Sequence, residues 1–127
     1  MTSILVVDDS PTIRRMVRAA LAPVGPAQFV EAESGLEAIE RLAFAPVALI
    51  VLDLNMPDMH GIEVLKFVRG HAGYRSIPVL VLTTRQDEAS RTAALDAGAT
   101  AYVTKPFVPA TLAAEARKLL GGVGAGR

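Results

Sequence analysis

The stretch Ala48-Leu49-Ile50-Val51-Leu52-Asp53-Leu54-Asn55-Met56-Pro57 decides how the rest of the chain is interpreted. It opens with apolar residues that do not alternate with polar ones, which predicts a strand buried on both faces of a parallel sheet. The strand ends at a carboxylate, Asp53, and open α/β sheets bind ligands at the carboxyl ends of their strands. For Asp53 alone, the start of a turn, where Asp is common, is the favoured explanation. The other strand ends have to decide between these two interpretations.

Apolar runs of strand length recur on both sides of this stretch, and each is followed by a segment with helical spacing. Alternation of strand and helix at short spacing predicts a parallel sheet with helices on both faces and right-handed crossovers. The sequence therefore predicts an α/β fold with five strands and five helices. The predicted strands cover residues 4–7, 28–32, 48–52, 78–82 and 101–104.

Two of the predicted helices differ in how much apolar surface they offer to a core. In the first helix, apolar side chains recur at helical spacing, and they are Ile13, Met16, Val17, Ala20 and Leu21. The helix predicted for residues 87–97 offers mainly small side chains, which are Ala89, Ala93 and Ala94, together with Leu95. We therefore expect this fourth helix to be weakly anchored.

Composition limits the function classes that remain open. The 127 residues suit one domain, and thirteen basic residues balance thirteen acidic ones, so no net field favours nucleic acid or an anionic membrane. The absence of Cys and the presence of only two His argue against disulfides, thiol chemistry and zinc. No long apolar run or leader is present, which predicts a soluble cytoplasmic protein. We expect a domain over residues 1–120 and a flexible glycine-rich tail over 121–127.

Polar residues follow four of the predicted strands. Because the carboxyl ends of parallel strands lie along one edge, we expect these residues to meet: Asp8, Asp9, Asp53, Thr83 and Lys105. Clustered carboxylates repel one another unless a cation lies between them, and Mg²⁺ prefers such oxygen ligands. An amine and a hydroxyl suit the oxygens of a phosphoryl group. Each residue alone has an ordinary structural explanation, but the combination predicts a phosphoryl-transfer site.

Several separated motifs together resemble the receiver domain of bacterial response regulators, in particular the chemotaxis CheY type. This resemblance covers essentially the whole chain and implies a doubly wound, flavodoxin-like parallel sheet with strand order 2-1-3-4-5. The motifs are Val7-Asp8-Asp9-Ser10, Leu52-Asp53-Leu54-Asn55-Met56-Pro57, Gly61, Thr83, Tyr102 and Lys105-Pro106-Phe107.

By this resemblance, Asp53 is the phosphoacceptor, and it receives a phosphoryl group from the phosphohistidine of a sensor histidine kinase or a histidine phosphotransfer protein. Asp9 and Asp53 would bind Mg²⁺ directly, Asp8 mainly through water, and Asn55 through its backbone carbonyl. Lys105 would pair with the phosphoryl group, and the family implies a cis bond between Lys105 and Pro106.

The resemblance also implies a conformational switch. Thr83 would move to bond the phosphoryl group, and Tyr102 would turn inward into the vacated space. The fourth helix, the fifth strand and the last helix would form the surface for a downstream protein target. Asn55 and Arg85 occupy positions that, in related receivers, tune water's access to the acyl phosphate. The resemblance does not indicate whether these two residues lengthen or shorten its lifetime.

Some interpretations remain open from the sequence alone. Arg14, Arg15 and Arg18 are either a solvated helix face or, as in related receivers, part of the docking surface for the phosphodonor. A receiver-like scaffold without phosphorylation is one alternative function. An aspartyl-phosphate hydrolase is another, although Asp53-Leu54-Asn55 lacks the second acid of such enzymes. No nucleic-acid or membrane partner is expected, and the expected state is a monomer.

Overall fold

The computed structural model of the chain describes residues 2–125, and these form a five-stranded sheet with five α-helices. Side chains are described for residues 2–121. The strands are β1 Thr2–Val7, β2 Ala27–Ala32, β3 Leu49–Leu52, β4 Val79–Thr83 and β5 Ala101–Thr104. The α-helices are α1 Pro11–Leu21, α2 Gly35–Phe44, α3 Gly61–Gly70, α4 Glu88–Asp96 and α5 Pro109–Ala125, with a 3₁₀ turn at Ala22–Val24.

All neighbouring strands pair in parallel, in the order β2-β1-β3-β4-β5. The predicted fold and strand order are therefore confirmed. The register places Leu52 at the end of β3 beside Val7 of β1 and Val81 of β4. The polar residues that follow these strands consequently lie along one edge of the sheet.

The core has two layers because successive side chains of a strand point to opposite faces of the sheet. One face of the central strands packs against helices α2, α3 and α4, where Leu42, Leu65 and Val68 are buried. The other face packs against α1 and α5 through Val17 and Leu112. The buried carboxyl end of β3 is thus held from both sides.

Helix α4 is the least anchored of the helices for which burial is assigned along the whole length. Among its residues, all of which the structure describes, Ala94 alone is buried. This agrees with the weak anchoring predicted from sequence, but the expected burial of Leu95 is wrong, since that side chain is 40% exposed. Met16 of α1 was also predicted to be buried and is 47% exposed, because it lies at the margin of the apolar stripe.

The far end of α4, away from the polar edge, is attached to α3 through Arg69. The Arg69 guanidinium donates to the carbonyls of Gly98, Arg75 and Ile77 at 2.9, 3.1 and 2.6 Å, and to the Thr100 hydroxyl at 3.2 Å. Gly98 has a φ of 115°, and a Cβ there would lie 2.5 Å from Arg69 Cγ. Glycine is therefore required at this turn both for its backbone conformation and for space.

The last helix continues beyond the point predicted from sequence. The glycines from residue 121 onward predicted a tail, whereas α5 extends to Ala125. Residues 126 and 127 of the predicted tail lie outside the described residues, and the tail's flexibility remains a prediction. Within residues 2–125, no helix is long and apolar enough to cross a membrane.

Candidate functional site

Three carboxylates converge where β1 and β3 end. The backbone amide of Asp53 donates to the Val7 carbonyl at 3.0 Å, which continues the sheet pairing and brings Asp53 beside the Asp8-Asp9 pair. One carboxylate oxygen from each of Asp8, Asp9 and Asp53 lies within 4.8 Å of the others. Asp8 and Asp53 are buried and Asp9 is exposed, so the cluster has a closed inner side and an open outer side. The cluster can hold a metal ion.

Lys105 reaches the same pocket from the end of β5. Its ammonium lies 2.6 Å from Asp8 Oδ2 and 3.7 Å from Asp53 Oδ2. The Lys105 side chain is only 11% exposed, so water screens these contacts weakly. Its backbone amide donates to the Thr83 carbonyl at 2.8 Å, and the bond to Pro106 is cis, as the resemblance implied.

Asp53 is the least satisfied of the acids. Its Oδ1 is buried and has no hydrogen-bond partner within the part of the chain that the structure describes. Burial raises the pKa of Asp53, the Lys105 charge lowers it, and the neighbouring Asp8 charge raises it further, so that the pKa lies above its ordinary value. A single ammonium therefore does not compensate the carboxylates, and the unpaired Oδ1 keeps an acceptor position that a cation can fill.

Thr83 and Tyr102 lie on the two strands at one side of the pocket. Thr83 ends β4 and is fully buried, and its Oγ accepts from the Arg85 amide at 3.4 Å. Tyr102 lies on β5, where its hydroxyl donates to the Arg85 carbonyl at 2.8 Å and its ring lies 5.5 Å from the Arg91 guanidinium carbon. The segment after β4 thus contacts both residues.

Asn55 and Arg85 contact each other between the loops that follow β3 and β4. The Arg85 Nε donates to Asn55 Oδ1 at 2.7 Å, and Asn55 Nδ2 donates to the Thr84 hydroxyl at 3.3 Å. These bonds join the loop after β3 to the loop after β4. Sequence reasoning named both residues but did not predict that they touch.

Arg14 supports the acidic cluster from α1, and sequence reasoning missed this contact. Its Nη1 donates to the Asp8 carbonyl at 2.6 Å, while its Nε pairs with Glu31 Oε1 at 2.7 Å. The solvated-face interpretation is therefore wrong for Arg14, whose side chain is 13% exposed, because β2 lies against this side of α1. Arg18 pairs with the same Glu31 at 2.8 Å and remains 52% exposed. The sequence signal for these ion pairs was Glu31, an acid within the second predicted strand.

This sheet order, with acids at the ends of β1 and β3 and a lysine after β5, is the architecture of a receiver domain. The chain belongs to the response regulator receiver domain family, whose match covers residues 4–117. The class carries a phosphoacceptor, and the comparisons place this chain with its CheY-like members.

The similar proteins include chemotaxis proteins from several bacteria. The chain is 40% identical to chemotaxis protein CheY1 of Helicobacter pylori over 119 residues, which cover 93% of this chain and 96% of that protein. It is 39% identical to a chemotaxis protein CheY homologue of Campylobacter jejuni, covering 93% of this chain and 92% of that protein. Among solved structures, Vibrio cholerae CheY4 matches with a TM-score of 0.86 at 37% identity, over 94% of this chain and 99% of that one.

Proposed function

We propose that Asp53 accepts a phosphoryl group from the phosphohistidine of a sensor histidine kinase or a histidine phosphotransfer protein. An Asp53 oxygen forms the new bond to phosphorus, the bond from phosphorus to the donor's imidazole nitrogen breaks, and that nitrogen keeps the electron pair. The observation that carries the proposal is the buried Asp53 Oδ1, which has no hydrogen-bond partner among the described residues and lies beside two other acids and Lys105.

The donor set fits Mg²⁺, because it consists of oxygens without His or Cys and includes an unpaired buried carboxylate oxygen. Asp9 and Asp53 would hold the ion directly, Asp8 mainly through water, and Asn55 through its backbone carbonyl. When bound, Mg²⁺ neutralises charge on the transferring phosphoryl oxygens. The remaining contributions come from the chain itself.

Lys105 and Thr83 are the groups that would bind the phosphoryl oxygens. Lys105 is held near Asp53 by its contact with Asp8, so its ammonium is already positioned for an anion on Asp53. Thr83 lies at the end of the adjacent strand, where its Oγ accepts only a weak 3.4 Å contact from the Arg85 amide, and its hydroxyl hydrogen would donate to a phosphoryl oxygen.

Movement of Thr83 would alter the segment that Tyr102 contacts and so reach the surface of α4, β5 and α5. The small buried area of α4 supports this role, because one new hydrogen bond of about 1 to 3 kcal/mol can compete with so little packing. That surface would bind a downstream protein. The chemotaxis names of the relatives support a role in chemotaxis signalling.

Asn55 and Arg85 would set the lifetime of the acyl phosphate. Their side chains are hydrogen-bonded to each other, so a change at one is expected to alter the position of the other. Replacing either residue is expected to change the rate of dephosphorylation, and replacing both should not give the sum of the two effects.

Docking of the phosphodonor would use α1, where Arg15 is exposed and Arg18 is half-exposed. Arg14 is excluded from this role by its contacts with Glu31 and Asp8. Charge reversal at Arg15 should slow transfer from the donor without affecting phosphorylation by a small molecule. We further propose that residues 1–120 form the receiver unit and that it acts as a monomer.

The test is incubation with Mg²⁺ and acetyl phosphate, followed by intact-mass measurement. The wild-type protein should gain one phosphoryl group, and Asp53→Asn should gain none. Asp96→Asn is the matched control, because Asp96 is an exposed acid at the far end of α4 and should leave phosphorylation unchanged. Uptake that persists in Asp53→Asn would refute the assignment of the phosphoacceptor.

A further inference from the structure

The loop from residue 54 to residue 60 lies between β3 and α3 and contains Asn55. One end of the loop is closed tightly: the Gly61 amide donates to the Leu54 carbonyl at 3.0 Å. A Cβ at Gly61 would lie 2.5 Å from the Asp53 carbonyl oxygen, so only glycine allows this closure. This end of the loop is fixed by the backbone itself.

Asp58 attaches the other part of the loop to a different helix. Its Oδ1 accepts from the Gly35 amide at 3.2 Å, and its Oδ2 accepts from the Leu36 amide at 3.1 Å. These are the first two amides of α2, which have no partner inside the helix. Desolvation raises the pKa of Asp58, but the bonds from Leu36 and Gly35 outweigh it and lower the pKa below its ordinary value.

Close packing accompanies these two hydrogen bonds. A Cβ at Gly35 would lie 2.7 Å from Met59 Cβ, so the loop and the start of α2 are in direct contact. Helix α2 has separate local caps: Ser34 Oγ accepts from the Glu37 amide at 3.1 Å, and Glu37 Oε1 accepts from the Glu33 amide at 2.7 Å. Asp58 is therefore the cap that also holds the loop, whereas Glu37 caps α2 without touching it.

We propose that Asp58 is a positioning residue for the metal site, because its two bonds to α2 hold the loop so that Asn55 faces the acidic cluster. The inference rests on the proposed function, in which the Asn55 backbone contributes to binding the ion. On the opposite side, the Asn55 side chain bonds to Thr84 and Arg85. The loop is thus held from two sides, and Asp58 is the attachment on the α2 side.

Coupling of this kind is reciprocal. If the bonds of Asp58 favour the loop conformation that binds the ion, then the ion favours the conformation in which those bonds are made. Binding of Mg²⁺ should therefore slow hydrogen exchange at the amides of Gly35 and Leu36, although neither residue belongs to the acidic cluster. A cap that served α2 alone would not show this response.

The experiment is a calorimetric titration of Mg²⁺ alone into the wild-type protein, Asp58→Ala, Asp58→Asn and Glu37→Ala. We expect roughly tenfold weaker binding in Asp58→Ala, as for other groups that orient metal ligands. Asp58→Asn should lie in between, because its side-chain oxygen can still accept one bond. Glu37→Ala is the matched control, since it removes a cap from the same helix and should bind as the wild type does.

Either of two titration results with the alanine variants would overturn the inference: wild-type affinity in Asp58→Ala, or an equal loss of affinity in Glu37→Ala. If Asp58→Ala fails to fold, the same comparison is made between Asp58→Asn and Glu37→Gln, and equal affinities there overturn it as well. Exchange at Gly35 and Leu36 that does not respond to Mg²⁺ in the wild type also contradicts it. A wild-type protein that binds no Mg²⁺ would instead refute the proposed metal site, so the two failures are distinguishable.

Discussion

At the scale of single residues, the buried and incompletely paired carboxylate of Asp53 lowers the free energy of unfolding, and the same property makes it available for reaction. Its unpaired Oδ1 and its raised pKa both mean that the folded chain disfavours the charged form. Burying a charge without full compensation costs free energy, and a bound cation would recover part of that cost. The stability of the protein should therefore report on the occupancy of the site.

Asp53→Asn should raise the free energy of unfolding by about 1 kcal/mol in a chelating buffer, because it removes a charge that burial disfavours and that Asp8 repels. Added Mg²⁺ should stabilise the wild type as it binds the folded state, and should stabilise the variant much less. Urea unfolding with and without Mg²⁺ measures both effects. A variant that is less stable than the wild type in the chelating buffer would contradict this account.

Glu31 makes the opposite kind of contribution. The hydrogen bond from Arg14 lowers its pKa, desolvation raises it, and Arg18 lowers it again, for a net shift below the ordinary value of 4.5. The folded state thus holds the charged form more favourably than the unfolded chain does. This contribution is present above the unfolded-state pKa and is lost as the pH falls through the folded-state pKa.

Glu31→Gln should therefore lower the free energy of unfolding near neutral pH by about 0.5 to 1 kcal/mol, a range reduced for the partial exposure of the ion pairs. The difference from the wild type should disappear in acid below the folded-state pKa of Glu31. Urea unfolding across this pH range is the measurement. The control is Glu33→Gln, which alters a neighbouring exposed acid and should show no such dependence.

Sequence reasoning predicted the residues with chemical groups better than the residues that hold them. Acids and a lysine at several strand ends have few joint explanations, so Asp8, Asp53 and Lys105 could be singled out. The contacts of Arg14 and Asp58 depend on packing between elements, since their partners are 17 and 23 residues away in the chain. No local pattern specifies which helix or strand will lie opposite such a side chain.

At the scale of elements, the difference between α3 and α4 is the most consequential. Helix α3 buries Gly61, Val64, Leu65 and Val68 against the sheet, whereas α4 buries Ala94. Each large aliphatic side chain that is buried contributes about 1.5 to 3 kcal/mol. Helix α4 is therefore held by much less free energy than its neighbour.

Amide hydrogen exchange in α4 should be roughly tenfold or more faster than in α3, since a local opening of α4 exposes less apolar surface. Mass spectrometry after timed exchange measures this for both helices. Asp87→Ala should accelerate α4 further, because the Asp87 side chain accepts from the Ser90 amide at 2.9 Å and caps the helix. Equal protection of the two helices would show that the few contacts of α4 suffice to hold it.

Sequence reasoning located the beginnings of elements better than their ends. Ser10 and Ser34 belong to a residue type that is preferred at helix starts, and their hydroxyls accept from the Ile13 and Glu37 amides. The end of α5 was predicted from glycine propensity, which is a weak preference, and the structure extends the helix to Ala125. The burial of Leu95 was also misjudged, because helical spacing alone does not indicate how closely α4 approaches the sheet.

At the scale of the whole molecule, the pocket and the surface of α4, β5 and α5 share the segment around Arg85. That segment bonds to Thr83, to Tyr102 and to Asn55. A change at the phosphoryl site can therefore reach the surface through contiguous hydrogen bonds. The sequence could supply the parts of this path, but not that Arg85 joins them.

Beryllofluoride with Mg²⁺ should shift the amide resonances of Thr83 and Tyr102 and those of α4, because it mimics the phosphoryl group on Asp53. Lys105→Met should still accept phosphate from acetyl phosphate. The shifts at Tyr102 should be lost, however, because the ammonium that connects the phosphoryl group on Asp53 to the end of β5 is absent. Two-dimensional NMR provides the measurement. Shifts confined to the acidic cluster in the wild type would refute a connection to the surface.

The attachment of Arg69 gives α4 one fixed end. Arg69 bonds to Gly98 and Thr100 just beyond the far terminus of the helix, while the near terminus, at Asp87, follows the segment that contacts the pocket. A rod restrained at one end can only pivot, so its displacement grows with distance from the fulcrum. Helix α4 would then behave as a lever whose largest displacement falls beside the phosphoryl site. Replacing Arg69 would release the fulcrum, and α4 would then move without a preferred direction.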